Sequence, residues 1–299
     1  MTQARQTPNP SQIFLDHVGW FVPDMDAAAR SFEKLGFKLT PFSVHGDRDP
    51  ATGDLRPLGT ANRLVMLEEG YLEILTLHGG VTNPSVERMR ASMARHVGVH
   101  LIAMTVADSL AEARRLESDG FALNPTINLR RTIEAEDGRQ VEVAFTVIRP
   151  KEGVHPEGRI QVLTQHTPEH MWQRRYVEND NAITALRGVM LVVDDPKEVC
   201  QRLGRFSSRP VQERADHRLI RLERGHLRIF RKAAAEAYLG GLKVPVPPAI
   251  AAVGFLSRDL DKTRAFLKGR GVKLTLDTAG RIIVDASDGM GAYLLISSA

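Results

Sequence analysis

Short runs of alternating apolar and polar residues recur along the chain, each bounded by glycine or a polar turn, and such runs predict half-buried β-strands. In EEGYLEILTLH, residues 68–78, Glu69-Gly70 supplies a turn and Leu72, Ile74, Leu75 and Leu77 supply apolar surface. Glu73 sits in the middle of this strand. A buried carboxylate is costly unless cations or hydrogen-bond donors compensate it, or else it stays protonated. The pattern thus raises a chemical question as well as a structural one.

The same pattern returns elsewhere. EGYLEILTLH (69–78) matches EGRIQVLTQH (157–166), and NRLVMLEEGYLEIL (62–75) matches HRLIRLERGHLRIF (217–230), a hairpin repeated on both sides of its X-Gly turn. FVPDMDAAARSFEKLGFKL (21–39), TVADSLAEARRLESDGFAL (105–123) and LSRDLDKTRAFLKGRGVKL (256–274) also resemble one another. Each carries an Asp that can cap a helix (Asp24, Asp108, Asp259) and, twelve residues later, a Gly that can end it (Gly36, Gly120, Gly271). VVDDPKEVCQRLGRF, around Asp195, is a shorter fourth version.

The chain therefore reads as an α+β protein of four β-α-β-β-β units, residues 14–80, 97–167, 185–232 and 249–298. One unit alone leaves an apolar sheet face exposed, so the four are expected to pair into two domains, 14–167 and 185–298. The joint falls in residues 167–184, where Thr167 and Pro168 suit the start of a connecting helix. The polar loop 43–59 has no counterpart of its length in the other units and reads as a lid or as ordinary surface.

Composition narrows the function. The 299 residues are 42% hydrophobic and 25% charged, as in ordinary globular proteins, and the net charge of +4 is spread rather than clustered. No basic patch or nucleic-acid motif is present, so a small molecule, anionic by charge balance, is the expected partner. No apolar run is long enough to span a membrane, and the first twelve residues lack the apolar core of a secretion signal and read as a disordered lead-in. With a single cysteine, Cys200, these features fit a cytoplasmic protein with neither disulfides nor a cysteine zinc site.

Paired units opening with LDHVGWFVPDMDAA and closing with GYLEIL resemble the vicinal oxygen chelate superfamily, which includes glyoxalase, bleomycin-resistance proteins, methylmalonyl-CoA epimerase and extradiol dioxygenases. The hairpin from Asn62 through GYLEIL most resembles its glyoxalase-like domain proteins. The resemblance covers nearly the whole chain and implies cup-shaped sheets around a divalent metal, with ligands on the first and fourth strands of each unit. It would place ligands at His17 and Glu73 in the first unit and at His100 and Gln161 in the second, and would make Glu73 the catalytic base. His17 also reads as a core or pocket histidine, and Glu73 as the partner of a pocket arginine.

In the second unit the first-strand slot, seven residues before the Asp, holds Leu101, and His100 reaches it only through a β-bulge. Imidazole and carboxylate suit Zn, Fe, Mn, Ni or Co without choosing among them, and a metal-free cup is the alternative. In units three and four the corresponding residues are Gly188 and Arg228, and Ala252 and Leu294, so the C-terminal pair is expected to lack a metal and to serve as a structural partner or homodimer surface. That counts against a two-domain ring-cleaving dioxygenase. The resemblance implies lyase or isomerase chemistry, with a metal-free binding or resistance protein as the rival reading.

Further residues are expected to face the ligand. Tyr71 shares the face of Glu73 by alternation. Asn62 faces the cup if Glu69-Gly70 is a two-residue turn, which would set Met66 opposite Glu73; Arg63 does so if the loop has three residues. One of Arg130 and Arg131 points inward to hold a carboxylate or phosphate, with Arg130 favoured. Trp172 is expected to pack the connecting helix onto the domain surface.

Overall fold

Asp24, Asp108, Asp195 and Asp259 each turn the chain from strand to helix in the computed structural model, which describes residues 6–48, 52, 55–276 and 280–299. Each carboxylate accepts from backbone N–H groups of the first helical turn, which would otherwise lack partners. At the other end Gly36, Gly120 and Gly271 take φ values of 84°, 84° and 67°, and Ser208 takes 51° in the helix that lacks a glycine there.

Around these helices the strands follow in order. The first set is β1 (Ile13–Phe21), α1 (Met25–Lys34), β2 (Ser43–Arg48), β3 (Leu55–Met66) and β4 (Tyr71–Leu77), followed by α2 (Pro84–Arg95). The second is β5 (Gly98–Val106), α3 (Ser109–Ser118), β6 (Ile127–Glu134), β7 (Gln140–Ile148) and β8 (Arg159–Gln165). Two single-turn helices, α4 (Pro168–Met171) and α5 (Arg174–Val177), lead to β9 (Ile183–Val192), α6 (Pro196–Ser207), β10 (Val211–Glu213), β11 (Arg218–Arg221) and β12 (His226–Phe230). After α7 (Lys232–Tyr238) come β13 (Ala249–Ser257), α8 (Leu260–Gly269), β14 (Leu274–Leu276), β15 (Ile282–Val284) and β16 (Tyr293–Ser298).

In every set the first strand pairs parallel with the fourth, and first strands meet antiparallel, β1 with β5 and β9 with β13. Each first strand also carries a register shift at the residue before the slot expected to hold a ligand: Asp16, His100, Arg187 and Ala251. Such a bulge re-aims the side chains around it. Between the named strands, the pairing of Ile250 with Val99 joins the two halves into one sheet.

The halves also exchange backbone bonds. The β3–β4 loop reaches β9, where Glu69 N–H donates to Thr184 O and Leu186 N–H to Glu69 O. The β11–β12 loop reaches β1, where Leu15 N–H donates to Arg224 O and Glu223 N–H to Ile13 O. Both loops need a positive-φ glycine: Cβ atoms at Gly70 and Gly225 would lie 2.8 Å from Asp16 O and 2.6 Å from the Leu15 side chain. One apolar core runs across the halves, taking in Trp20 and Phe32 from the first and Phe206 and Phe255 from the second. Cys200 is buried there, and burial pushes its thiol up to about 12, as expected of an inert core residue.

Several expectations change. The β3–β4 connection, residues 67–70, is longer than a two-residue turn, so Leu64 rather than Met66 lies opposite Glu73; the slip is even and the same face stays inward. Much of the presumed loop 43–59 is β2 and the start of β3, and its tip lies largely outside the described residues. Within the lead-in Gln6 is buried, its amide donating to Glu68 O, while residues 1–5 lie outside the description. The connecting helix is two single turns, and Thr167 Oγ1 accepts from Ala144 N–H instead of capping the first. Among the described residues no helix is long and apolar enough to cross a membrane.

Burial holds three imidazoles neutral, His100 at about 4 and His155 and His226 at about 3. Their pKa values lie below the unfolded value of 6.5, so the unfolded chain binds more protons as the pH falls through 6.5. Stability conferred by their neutral burial is full above that pH and declines toward 4. The urea midpoint is expected to fall over this window, and to recover partly in a His155→Phe variant.

Candidate functional site

The bulge at Asp16 puts two successive polar residues of β1 into contact. Asp16 and His17 are almost fully buried, and His17 Nδ1 lies 2.7 Å from Asp16 Oδ2. With Asp16 as carboxylate the proton of that bond sits on Nδ1, which leaves Nε2 to face Glu73 Oε2 at 3.8 Å. The Gln165 amide donates weakly to both Asp16 oxygens, at 3.3 and 3.4 Å. Tyr71 stacks on the His17 ring at 4.3 Å and meets Trp172 edge-on at 5.7 Å.

Glu73, on β4, accepts a 2.8 Å hydrogen bond from Asn62 Nδ2 on β3. Burial alone would raise its carboxyl, but His17, His45, the Asn62 bond and Arg159 outweigh that and hold it below the usual range. The Tyr71 hydroxyl is pushed well above its ordinary value by burial and by the charges of Asp16 and Glu73. His45, whose Nδ1 lies 2.9 Å from Thr60 Oγ1, is held below its ordinary value by burial and by the charges of Arg131, Arg159 and Arg149, against the opposing pull of Glu73, so all four charged groups lie within electrostatic reach of it.

The second repeat supplies the cations. Arg131 extends from β6 to Ser43 Oγ at 3.2 Å, and Arg149, just after β7, donates through Nε to Gln161 Oε1 at 3.0 Å. Arg159 opens β8, with its guanidinium 5.5 Å from the centre of the Phe21 ring. Burial and the neighbouring Arg149 depress it to about 10. Residues 167–177 cover the Tyr71 end of the cup, where Met171, Trp172 and Val177 pack on Leu64, Met66, Tyr71 and Val143, and Trp172 Nε1 donates to Leu67 O. Trp172 thus packs the linker onto the domain, as expected, and does so over the cup.

Several expected residues meet here: His17, Glu73, Tyr71, Asn62 and Gln161. Asn62 is the one inside; Arg63 lines a separate depression of about 510 Å³ with Asp24, Phe42 and His78. Arg130 is a correction. It is exposed and paired with Glu142, and Arg131 takes the inward place, because Arg131 pairs with the cup residue Val143. His100 is brought elsewhere. Its bulge does form, but it is the counterpart of Asp16, with Leu101 in the slot of His17; its Nε2 bonds His96 O at 2.9 Å and its ring lies on Phe21.

In the C-terminal half the cup is filled. Met190, Phe230, Ala252, Tyr293 and Leu295 pack with Ala235 and Leu239 from α7 and the residue after it. The register places Leu295, not Leu294, at the position of Glu73. A larger cavity, about 1090 Å³, lies between residues 135–141 and the linker, and Glu73 is not among the residues that line it.

The sequence reading missed Asp16, His45, Arg149 and Arg159. Arg159 had a signal, since in the repeat EGRIQV it stands where Tyr71 stands in EGYLEI. His45 lay hidden in the stretch read as a loop.

Do these groups fit a divalent metal? His17, oriented by Asp16, and Glu73 suit ligation. The other two expected donors do not. His100 is committed to His96, the Gln161 oxygen accepts from Arg149, and three guanidiniums bring positive charge to the same space. Among the described residues no three His, Cys, Asp or Glu side chains form a group able to hold a metal ion. The set does not fit the expected four-ligand centre.

Comparison with curated proteins gave no match. Among solved structures the chain is similar to a hypothetical protein from Staphylococcus aureus, at TM-score 0.66 and 12% identity over 96% of this chain and 100% of that one. It is also similar to a mutant 4-hydroxymandelate synthase from Streptomyces coelicolor, at 0.56 and 13% over 96% and 92%. A third is a xylose isomerase-like TIM barrel/4-hydroxyphenylpyruvate dioxygenase fusion protein, at 0.57 and 12% over 98% and 50%. At such identities these likenesses speak to fold alone. The family model for the glyoxalase-like domain matches residues 15–206, nearly two thirds of the chain. The chain belongs to the glyoxalase-like domain family of the vicinal oxygen chelate superfamily.

Proposed function

We propose that the cup of the N-terminal half is an active site that moves a proton on a small, oxygenated, anionic molecule, in the manner of a lyase or isomerase. The observation that carries this reading is the chain Asp16–His17–Glu73, an oriented imidazole facing a carboxylate held ionised inside a covered cup. In this reading Glu73 accepts a proton from carbon next to a carbonyl and returns it to a neighbouring atom. Asn62 aims the carboxylate, and His17 keeps its Nε2 toward it. Negative charge developing on the substrate oxygen is met by Arg131 and the Tyr71 hydroxyl. The low pKa of Glu73 keeps it ionised at the expense of basicity, so exclusion of water by Met171 and Trp172 is part of the design.

The rival reading is a binding or resistance protein that holds its ligand without turnover. It is favoured by Gln161 and Arg149 being committed to each other. Incubation of the full chain with small α-hydroxy and α-keto acids in D₂O, followed by proton NMR, separates the two. Exchange of the carbon-bound hydrogen, unchanged after dialysis against EDTA, is expected. Tight binding with no exchange on any compound would favour the rival, and exchange abolished by EDTA and restored by a divalent metal would return a metal to the mechanism.

A further inference from the structure

The cup has two unlike walls. Strands of the first repeat carry Asp16, His17, Asn62, Tyr71 and Glu73, whereas the second repeat carries Arg131, Arg149, Arg159 and Gln161. Because β1 and β5 meet antiparallel, the repeats face each other, and the register sets Arg159 and Gln161 in the places that Tyr71 and Glu73 hold opposite them. The acids and the cations therefore come from corresponding positions of the two copies.

The cations outnumber the acids that answer them. Arg131, Arg149 and Arg159 bring three positive charges against the carboxylates of Asp16 and Glu73. Among the described residues none of the three has a carboxylate within ion-pair distance, and Arg159 makes no hydrogen bond, its guanidinium resting on the Phe21 ring. Arg149 and Arg159 are near enough for one to depress the other, and Arg88 of α2, itself paired with Glu152 at 3.4 Å, adds further positive charge. Half-buried like charges brought together are relieved by an anion between them.

Gln161 points to the same ligand. Its side chain is almost fully buried, and its oxygen is taken by Arg149. The amide NH₂ is thereby left as a donor with no protein acceptor among the described residues. On the far side of the space the Arg131 Nε is buried without a partner among the described residues. Guanidinium forks and an amide donor turned on one space make the preferred receptor for a planar or tetrahedral oxyanion.

We infer that Arg149, Arg159 and Gln161 form an oxyanion subsite that seats the carboxylate or phosphate of a small acid, with the rest of the molecule extending across the cup to Glu73. This rests on the reading of the cup as a small-molecule site, and it fixes the polarity of the substrate: acid group on the second-repeat wall, reacting carbon on the first. It also explains why the Glu73 position became glutamine in the second repeat, since a carboxylate there would repel the ligand.

The test titrates the full-length protein at low salt with inorganic phosphate and, separately, with malonate, followed by calorimetry and by the fluorescence of Trp172 in a Trp20→Phe background. One equivalent of at least one probe is expected to bind, with affinity reduced at least tenfold in Arg159→Gln and in Arg149→Gln. Arg159→Lys should keep part of the affinity and Arg130→Gln all of it, while Glu73→Gln should bind as well as wild type or better. Preference for phosphate or for malonate tells which acid the site takes. Should the glutamine variants not fold, affinity in the wild type must still fall steeply with added chloride. Absence of binding by both probes, or equal binding by wild type and folded arginine variants, overturns the subsite. Failure of the subsite is distinguishable from failure of the proton-transfer reading, because Glu73→Gln abolishes D₂O exchange while leaving anion binding in place.

Discussion

Glu73→Gln is expected to slow proton exchange in the cup by about 10²–10⁴-fold, the usual range for loss of a positioned general base. Glutamine keeps the shape and can still accept the Asn62 hydrogen bond, but it cannot take a proton. The exchange rate should collapse while anion binding survives, since the cationic wall of the cup is untouched and a competing negative charge has gone. His17→Ala should also lower the rate, by removing the ring stacked on Tyr71 and the nitrogen facing the carboxylate. Equal exchange rates in wild type and Glu73→Gln, measured by NMR under the same conditions, would remove Glu73 from the chemistry.

The largest loss of stability is expected from Trp20→Ala. Trp20 is fully buried on the face of β1 opposite the cup, edge-on to Phe32 at 5.4 Å, and its indole N–H donates to Gly289 O at 3.1 Å. Truncation opens a cavity and leaves that carbonyl without its donor, and large aromatic-to-alanine changes of this kind cost about 3–5 kcal/mol. For a chain of this size that corresponds to a drop in Tm on the order of 10 °C, which thermal unfolding followed by circular dichroism would detect. A shift of only a degree or two would mean that the shared core repacks around the gap.

The repeats made the fold readable because capping Asp residues, terminating glycines and alternating strands are local signals. Asp24, Gly36 and their counterparts act where the sequence places them. The candidate site was readable only where the reasoning ran through parity. Asn62 faces inward although the predicted turn was too short, because a slip of two residues leaves each side chain on its own face. Arg130 and Arg131 had no such protection, and the choice between adjacent residues turned on a register that composition cannot supply. Asp16 depends on a bulge that alternation does not anticipate, and the bulge expected at His100 forms without turning that side chain into the ligand slot. Arg149 and Trp172 reach the cup through tertiary packing, which pattern does not encode.

The exchange of loops between the halves bears on how the protein is made. Leu15 N–H finds its acceptor on Arg224, and Ala185 pairs with Glu69, so β1, the strand that carries His17, is completed by a segment synthesised about two hundred residues later. A nascent chain that has finished the second repeat still waits for some sixty residues, or several seconds at about 5–20 residues per second, before that partner leaves the ribosome. Until then the start of β1 lacks its partner there, and the acid-bearing wall stands on an unfinished strand. A chain cut short before Arg224 would carry every residue of the candidate site while lacking the contact that completes the start of its first strand.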